Sequence, residues 1–188
     1  MLNLKEIFSV SIILFSVIDI VGSIPIIIDL RNKSGKIESF KATLVAGVIM
    51  VVFLYLGKSI LNLFGLDVES FALAGALIIF LLGMEMVLGK DLFKTEANPK
   101  TTSIVPLAFP LIAGAGTMTT ILTLRSEYHH FNVLIGILIN LLLVFLVLKT
   151  STWIEKKLGR AGTDILRKVF GIILLAIAIK IFKSNLQF

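Results

Sequence analysis

Long apolar runs separated by short polar stretches form the pattern of this chain. Most runs approach the roughly 20 residues that a helix needs to cross the bilayer core at about 1.5 Å per residue. The connections carry the charged and turn-forming residues. The pattern predicts an all-α integral membrane protein with about six transmembrane helices, over Ile7–Leu30, Ala42–Phe64, Val68–Leu88, Ile104–Leu124, Phe131–Leu148 and the shorter Val169–Phe182.

The composition supports the membrane class. Apolar residues make up 57% of the 188 residues, the mean hydropathy is +1.01, and only 16% are charged, against about 25% in soluble domains. A soluble domain of this length could not bury so many apolar side chains, so residues 1–188 are predicted to form a single transmembrane domain. The net charge of +6 is spread between apolar runs, which argues against a nucleic-acid partner. The absence of cysteine excludes disulfides and thiolate metal sites.

The basic residues predict an orientation. Thirteen of the 18 lysines and arginines lie in the loops after helices one, three and five, at 31–41, 89–103 and 149–168. Cytoplasmic loops carry such an excess, so these loops are predicted to be cytoplasmic and both termini outside, in the (inner) membrane of a bacterial or archaeal cell. No small-x-small cleavage site follows the first apolar run, so this segment is expected to be retained.

The first span contains residues that interrupt a helix. Asp19 lies twelve residues after Ile7, or about 18 Å along the helix and near the bilayer centre. A carboxylate at that depth is costly and usually faces a cavity. Gly22 tolerates an unwound backbone, and Pro25 lacks the N–H that a continuous helix would use. We therefore expect the first helix to be discontinuous near the midplane.

The fourth span shows the same combination. Pro106 and Pro110 precede Gly114, Gly116 and Thr117, which lie near the middle of the run. Backbone groups freed by a break cannot face lipid, so they must be buried in protein or line a wet cavity. The fourth helix is also predicted to be discontinuous.

Paired broken helices in two halves point to a transporter site. Three helices per half predict two inverted repeats, 1–93 and 100–188, with weak similarity between the stretches that begin at Gly75 and Gly171. The positive N-terminal ends of the second half-helices would bind a substrate carboxylate. Asp19 would bind an ammonium group or a coupling proton, and the glycines leave room for only a small pocket. The predicted substrate-binding residues are Asp19, Gly22, Ser23, Pro25, Gly114, Gly116, Thr117 and Thr120.

A purely structural role is the alternative for each of these predicted site residues. Asp19 could serve only to bind freed backbone, the prolines only to kink helices, and the threonine cluster around Thr117 only to join helices. The amide of Asn140 needs a partner in either a helix contact or the pocket. Glu85 could reach the interface and Lys180 could snorkel to the other face, and their near-equivalent places in the two halves permit a gate role. The adjacent His129 and His130 do not form a metal motif, and neither a metal nor a cofactor is predicted.

These motifs resemble those of the MarC family of integral membrane proteins, also called the neutral amino-acid transporter family, over nearly the whole chain. Its first signature, Asp-Pro-x-Gly-Asn-x-Pro, is matched by Asp19, Gly22 and Pro25. Its second is matched by Pro106, Leu107, Pro110, Leu111, Gly114 and Gly116, and its pattern in helix six by Arg167 and Gly171. Three positions depart from the signatures: Ile20 replaces proline, Ser23 replaces asparagine, and Ala115 replaces proline.

The resemblance implies a secondary transporter of small neutral amino acids such as glycine and alanine, and the small pocket predicted from the residues agrees with it. The alternatives are a channel or a transporter of another small polar solute and, less favoured, an intramembrane enzyme, for which the chain offers no Cys nucleophile, no H-E-x-x-H motif and no intramembrane histidine. The sequence leaves open the coupling ion (proton or sodium), the direction of transport and the oligomeric state; a homo-oligomer is compatible with it.

Overall fold

All regular structure in the part of the chain described, residues 2–20, 22–89 and 102–185 of a computed structural model, is helical. Its elements are α1 (Leu4–Ile18), α2 (Ile24–Ser34), α3 (Ser39–Leu63), α4 (Val68–Leu88), α5 (Ser103–Ile112), α6 (Ala115–Glu127) and α7 (His130–Asn185). The predicted cytoplasmic loop at 89–103, and with it the boundary between the two predicted repeats, lies almost entirely outside these ranges.

The helix ends follow from residues that the sequence places there. Asn3 precedes α1 and its side chain accepts a hydrogen bond from the Lys5 N–H at 3.0 Å. Asp67 caps α4 in the same way through the Ser70 N–H, and this hydrogen bond holds the pKa of the Asp67 carboxyl below its usual range. Gly89 ends α4 with a left-handed backbone (φ 66°), the conformation that glycine adopts most readily.

Three helices are long and apolar enough to cross a membrane: Ser39–Leu63, Val68–Leu88 and His130–Ser151 within α7. A fourth span is available if α5 and α6, which meet at 48°, are taken together. These segments match four of the six predicted spans. The first predicted span is divided between α1, only 15 residues long, and the more polar α2, and the sixth is the end of α7. The structure therefore supports a multi-pass helical protein, and the total of six spans stays a prediction.

Helix α7 cannot be straight, although its backbone is helical throughout. Arg31 donates from Nη2 to the Leu148 carbonyl at 3.2 Å, while Ile177 lines a cavity with Gly22. A straight helix would separate residues 148 and 177 by about 44 Å, whereas residues 22 and 31 are only about 14 Å apart along α2. The first and last parts of α7 therefore both pack beside the α1–α2 region.

Close packing in the bundle depends on small residues. On α4, a Cβ added to Gly83 would lie 3.0 Å from the Gly171 carbonyl oxygen, and one added to Gly75 would overlap Ala115 of α6. A Cβ at Gly136 of α7 would lie 2.5 Å from Val10 of α1. Membrane helices approach one another in this way because lipid supplies no hydrophobic driving force, so that packing itself must hold them. Large apolar side chains such as Phe8, Leu44 and Leu142 stay exposed on the outer surface, as expected of lipid-facing positions.

Candidate functional site

The break in the first predicted span is built around Asp19. The residue has a left-handed backbone (φ 44°, ψ 48°) that ends α1, and its N–H donates to the Phe15 carbonyl at 3.1 Å. Aspartate is among the few residues besides glycine that adopt this conformation at modest cost. Its carbonyl accepts from both the N–H and the hydroxyl of Ser23, at 3.0 and 2.9 Å. Asp19 therefore closes one helix and leads into the next.

Gly22 lies beneath the Asp19 carboxylate. Its N–H donates to Asp19 Oδ1 at 3.2 Å, and a Cβ added at this position would overlap the carboxylate. Only glycine leaves the carboxylate where it is. Ser23 occupies the N-cap position of α2 without a capping hydrogen bond from its side chain, and Pro25 occupies the first turn of α2, where its missing N–H costs no hydrogen bond. Both side chains are buried. The predicted interruption of the first helix is confirmed at these residues.

The second break is made by the prolines and by Gly114. A residue before proline is pushed out of helical conformation, and Val105 (φ −123°, ψ 123°) and Phe109 (φ −133°, ψ 130°) show this inside α5. Helix α5 ends at Ile112, and α6 begins at Ala115 with Gly114 as its cap. A Cβ at Gly114 would overlap the Pro110 carbonyl oxygen. The predicted discontinuity of the fourth helix is confirmed here.

Within α6, the predicted threonines bind backbone. The Thr117 hydroxyl is buried and donates to the Ile112 carbonyl at 3.0 Å, across the break. The Thr120 hydroxyl donates to the Gly116 carbonyl at 2.7 Å, within the same helix. Gly116 has more space than the other predicted glycines, since an added Cβ would meet only Ile181 and Val17, both at 3.8 Å. Since Val17 lies two residues before Asp19, Gly116 places the start of α6 close to the first break.

A small cavity opens at the first break. Its volume is about 50 Å³, and its polar wall consists of Asp19, Gly22 and Ser23. The other wall is apolar: Val17, Ile18, Ile79, Leu111, Phe170, Ile173, Leu174 and Ile177. Leu111 comes from α5, so the two interrupted helices share the cavity. Pro25, Gly114, Gly116, Thr117 and Thr120 do not line it.

The sequence reasoning did not identify the apolar wall. Ile79 of α4 and Phe170, Ile173 and Ile177 of α7 reach the cavity only because both helices pack against the first break. The sequence signal available was a glycine within each apolar run, Gly83 and Gly171, which the structure places against each other so that α4 and α7 approach closely.

Other predicted residues lie elsewhere. The amide of Asn140 is buried and donates to the carbonyls of Ser11 and Gly136, at 3.1 and 2.9 Å, so it joins α1 to α7. Glu85, which could have reached the interface, is instead buried, because close packing of α4 on α7 leaves this side chain only 6% exposed. The rings of His129 and His130 stack at 4.4 Å. Among the residues described, no group of three or more metal-ligating side chains comes together.

Comparison with known proteins gives a family. A model of the MarC family of integral membrane proteins matches residues 4–187. Relatives include a UPF0056 membrane protein of Buchnera aphidicola, 29% identical over 98% of this chain and 97% of the relative. Another, from Aquifex aeolicus, is 30% identical over 93% and 89%. A third, from the archaeon Pyrococcus abyssi, is 28% identical over 100% and 98%. No solved structure matches the chain.

These relatives are membrane proteins of bacteria and archaea, and their names give no substrate. The family match covers both helix breaks and nearly the whole length of the chain. The resemblance found in the aspartate, glycine and proline motifs is thereby confirmed. The chain belongs to the MarC family of integral membrane proteins.

Proposed function

We propose that this protein is a secondary transporter of small neutral amino acids such as glycine and alanine, and that the cavity at the first break is its binding site. The observation that carries the proposal is the joint construction of this cavity by two interrupted helices. Asp19, Gly22 and Ser23 come from the first and Leu111 from the second. Interrupted helices of this kind build the substrate sites of several transporter folds.

The polar wall offers charges suited to an amino acid. Helix α2 begins at Ile24, and Ser23, the residue before it, lines the same cavity as Asp19, so the positive end of the α2 dipole lies beside the cavity. A substrate carboxylate would lie toward the start of α2 and its ammonium group toward Asp19. The isoleucines and Phe170 on the other side would cover a short apolar side chain. We propose no cofactor, and the coupling ion, proton or sodium, stays open.

The size of the cavity favours a small substrate. A volume of about 50 Å³ exceeds the share of one water molecule in the liquid, roughly 30 Å³, by less than a factor of two. A free amino acid therefore requires the site to widen, which a carrier does as it moves between states. A large drug would require the whole bundle to separate.

We also propose the full architecture predicted from the sequence. Six spans would form two inverted repeats, with both termini outside the cytoplasmic or inner membrane. Two contacts support the repeat: α4, the last helix of the first half, touches the start of α6 through Gly75 and Ala115, while the end of α7 lies at the first break through Phe170 and Ile177. The last helix of each half would thus pack against the helix break in the other half.

Counterflow of radiolabelled alanine into proteoliposomes tests the transport. Saturable counterflow is expected of a carrier, and conductance without saturation would identify a channel instead. Asp19→Asn keeps the size of the side chain and removes its charge. A hydrogen bond between a substrate ammonium group and a charged carboxylate contributes about 1.5 kcal/mol or more, so alanine binding should weaken about ten-fold or more.

Asp67→Asn is the matched control. It makes the same chemical change at an exposed helix cap, where asparagine caps nearly as well as aspartate. Its counterflow should equal that of the unmodified protein. Unchanged alanine transport by Asp19→Asn would remove Asp19 from the site.

A further inference from the structure

A groove runs along the outer face of the bundle between α3 and α7. Its volume is about 700 Å³, and nearly all of its surface is apolar. Its floor is at Gly47, where an added Cβ would lie 2.8 Å from Leu141 Cδ1, so this glycine sets how closely the two helices approach. The lining residues are Phe40, Thr43, Leu44, Gly47, Val48, Val51 and Val52 of α3 and Leu138, Leu141, Leu142 and Phe145 of α7.

The length of the groove matches one leaflet. Its lining on α3 extends from Phe40 to Val52, twelve residues or about 18 Å along the helix. The hydrocarbon core is about 30 Å thick, so each leaflet contributes about 15 Å. A partner helix that crosses the membrane would need a groove nearly twice as long. The acyl chain of a lipid from one leaflet fits the observed length.

One end of the groove carries positive charge. The helices α3 and α7 run antiparallel here, because the rings of Tyr55 and His130 meet edge to face with their centres 6.2 Å apart, while Gly47 packs against Leu141. Phe40 and Phe145 therefore lie at the same end. Lys41 follows Phe40 directly.

The second lysine of this end is on α7. Lys149 lies one turn beyond Phe145, with its Nζ 5.9 Å from the centre of that ring. Arg31 lies near the same end of the groove, because its side chain donates a hydrogen bond to the carbonyl of Leu148, the residue before Lys149. Lys41 and Lys149, with Arg31 bound to the residue before Lys149, thus lie at the end of the groove where a lipid would place its headgroup.

We propose that the groove binds one acyl chain of an anionic phospholipid, whose phosphate lies between Lys41 and Lys149. The apolar lining holds the chain by contact, and the lysines distinguish an anionic from a zwitterionic headgroup, because each lysine near an anionic lipid favours binding about five-fold. Neither the groove nor its lysines belong to the cavity at Asp19, so this site is independent of the transport proposal.

Quenching of tryptophan fluorescence by brominated lipids tests the proposal. The chain has a single tryptophan, Trp153, so Trp153→Phe gives a background without one. Leu142→Trp then places a reporter at an exposed position within the groove. The full-length protein is reconstituted in phosphatidylcholine with a rising fraction of brominated phosphatidylglycerol or brominated phosphatidylcholine. The ratio of the two quenching curves gives the relative affinity for the anionic lipid.

The relative affinity should be about 25-fold in favour of phosphatidylglycerol, from about five-fold for each of the two lysines. Lys41→Gln and Lys149→Gln should each lower it about five-fold, and the double variant should bring it close to one. Lys58→Gln is the matched control, because Lys58 lies on the same helix about 25 Å from Lys41. Val48→Trp supplies a second reporter if Leu142→Trp does not yield folded protein by size-exclusion chromatography.

Three results would overturn the proposal. Equal quenching by the two lipids would mean that the groove does not select an anionic headgroup. An equal loss in Lys58→Gln would mean that the lysines act through overall charge. Absence of quenching by either lipid, together with a dimeric mass in detergent, would mean that a second copy of the chain fills the groove.

Discussion

The contact between Gly22 and the Asp19 carboxylate gives the sharpest prediction about the cavity. A methyl group at Gly22 would overlap that carboxylate, so Gly22→Ala must turn the Asp19 side chain away and break its 3.2 Å hydrogen bond to the Gly22 N–H. Hydrogen bonds to charged groups contribute about 1.5–3 kcal/mol, and the length of this one favours the lower value. A carboxylate turned away from the cavity also loses its hydrogen bond to the substrate ammonium group, which belongs to the same class, so we expect alanine binding to weaken about ten-fold.

Gly116→Ala is the matched control. Its new methyl group would meet Ile181 and Val17 at 3.8 Å, an ordinary contact distance, and alanine is the better helix former within α6. Binding by this variant should be unchanged and its thermal stability equal or slightly higher. Equilibrium binding of radiolabelled alanine to purified protein in detergent, with thermal unfolding measured in parallel, distinguishes the two variants. Normal alanine binding by Gly22→Ala, or an equal loss of affinity in Gly116→Ala, would contradict the role given to this contact.

Two further changes test the packing around the site. Asn140→Leu removes both hydrogen bonds of the buried amide and should destabilise the protein by about 1 kcal/mol in thermal unfolding. Asn62→Leu, at an exposed position, is the control and should leave the stability unchanged. Equal stability of the two variants would contradict a structural role for Asn140. Leu77 of α4 and Ile179 of α7 are exposed and line one small groove, so cysteines at both positions, joined by a short bifunctional thiol reagent, should stop alanine counterflow. Each single-cysteine variant treated with the same reagent should remain active, and full activity of the cross-linked protein would show that these helices need not move.

The two breaks could be predicted from the sequence because their causes are local. Proline removes a backbone donor and restricts the residue before it, and these effects appear at Val105 and Phe109 whatever packs around them. An aspartate three residues before a glycine is equally visible, and the structure shows it closing α1. For the same reason, the outer ends of the first four predicted spans differ from the observed helix ends by at most four residues.

The wall of the cavity could not be predicted, because it depends on contacts between residues far apart in the sequence. Phe170 and Ile177 reach Asp19 only through the bend of α7, and the basic stretch at 149–168, read as a loop, is continuous helix in the structure. The burial of Glu85 is another such case, since it follows from the approach of α4 and α7. Thr120 shares its helix with the predicted site but binds the backbone of its own helix.

The two walls of the cavity differ in how firmly they are held, and this difference indicates where the site can widen. On the polar wall, Asp19, Gly22 and Ser23 bind one another through hydrogen bonds, so moving any one of them breaks a bond that lipid cannot replace. The opposite wall, with Ile79 and Ile177, meets the cavity through apolar contacts that can slide at small cost. A substrate larger than the present cavity should therefore enter by displacement of α4 and the end of α7, while the break at Asp19 keeps its geometry.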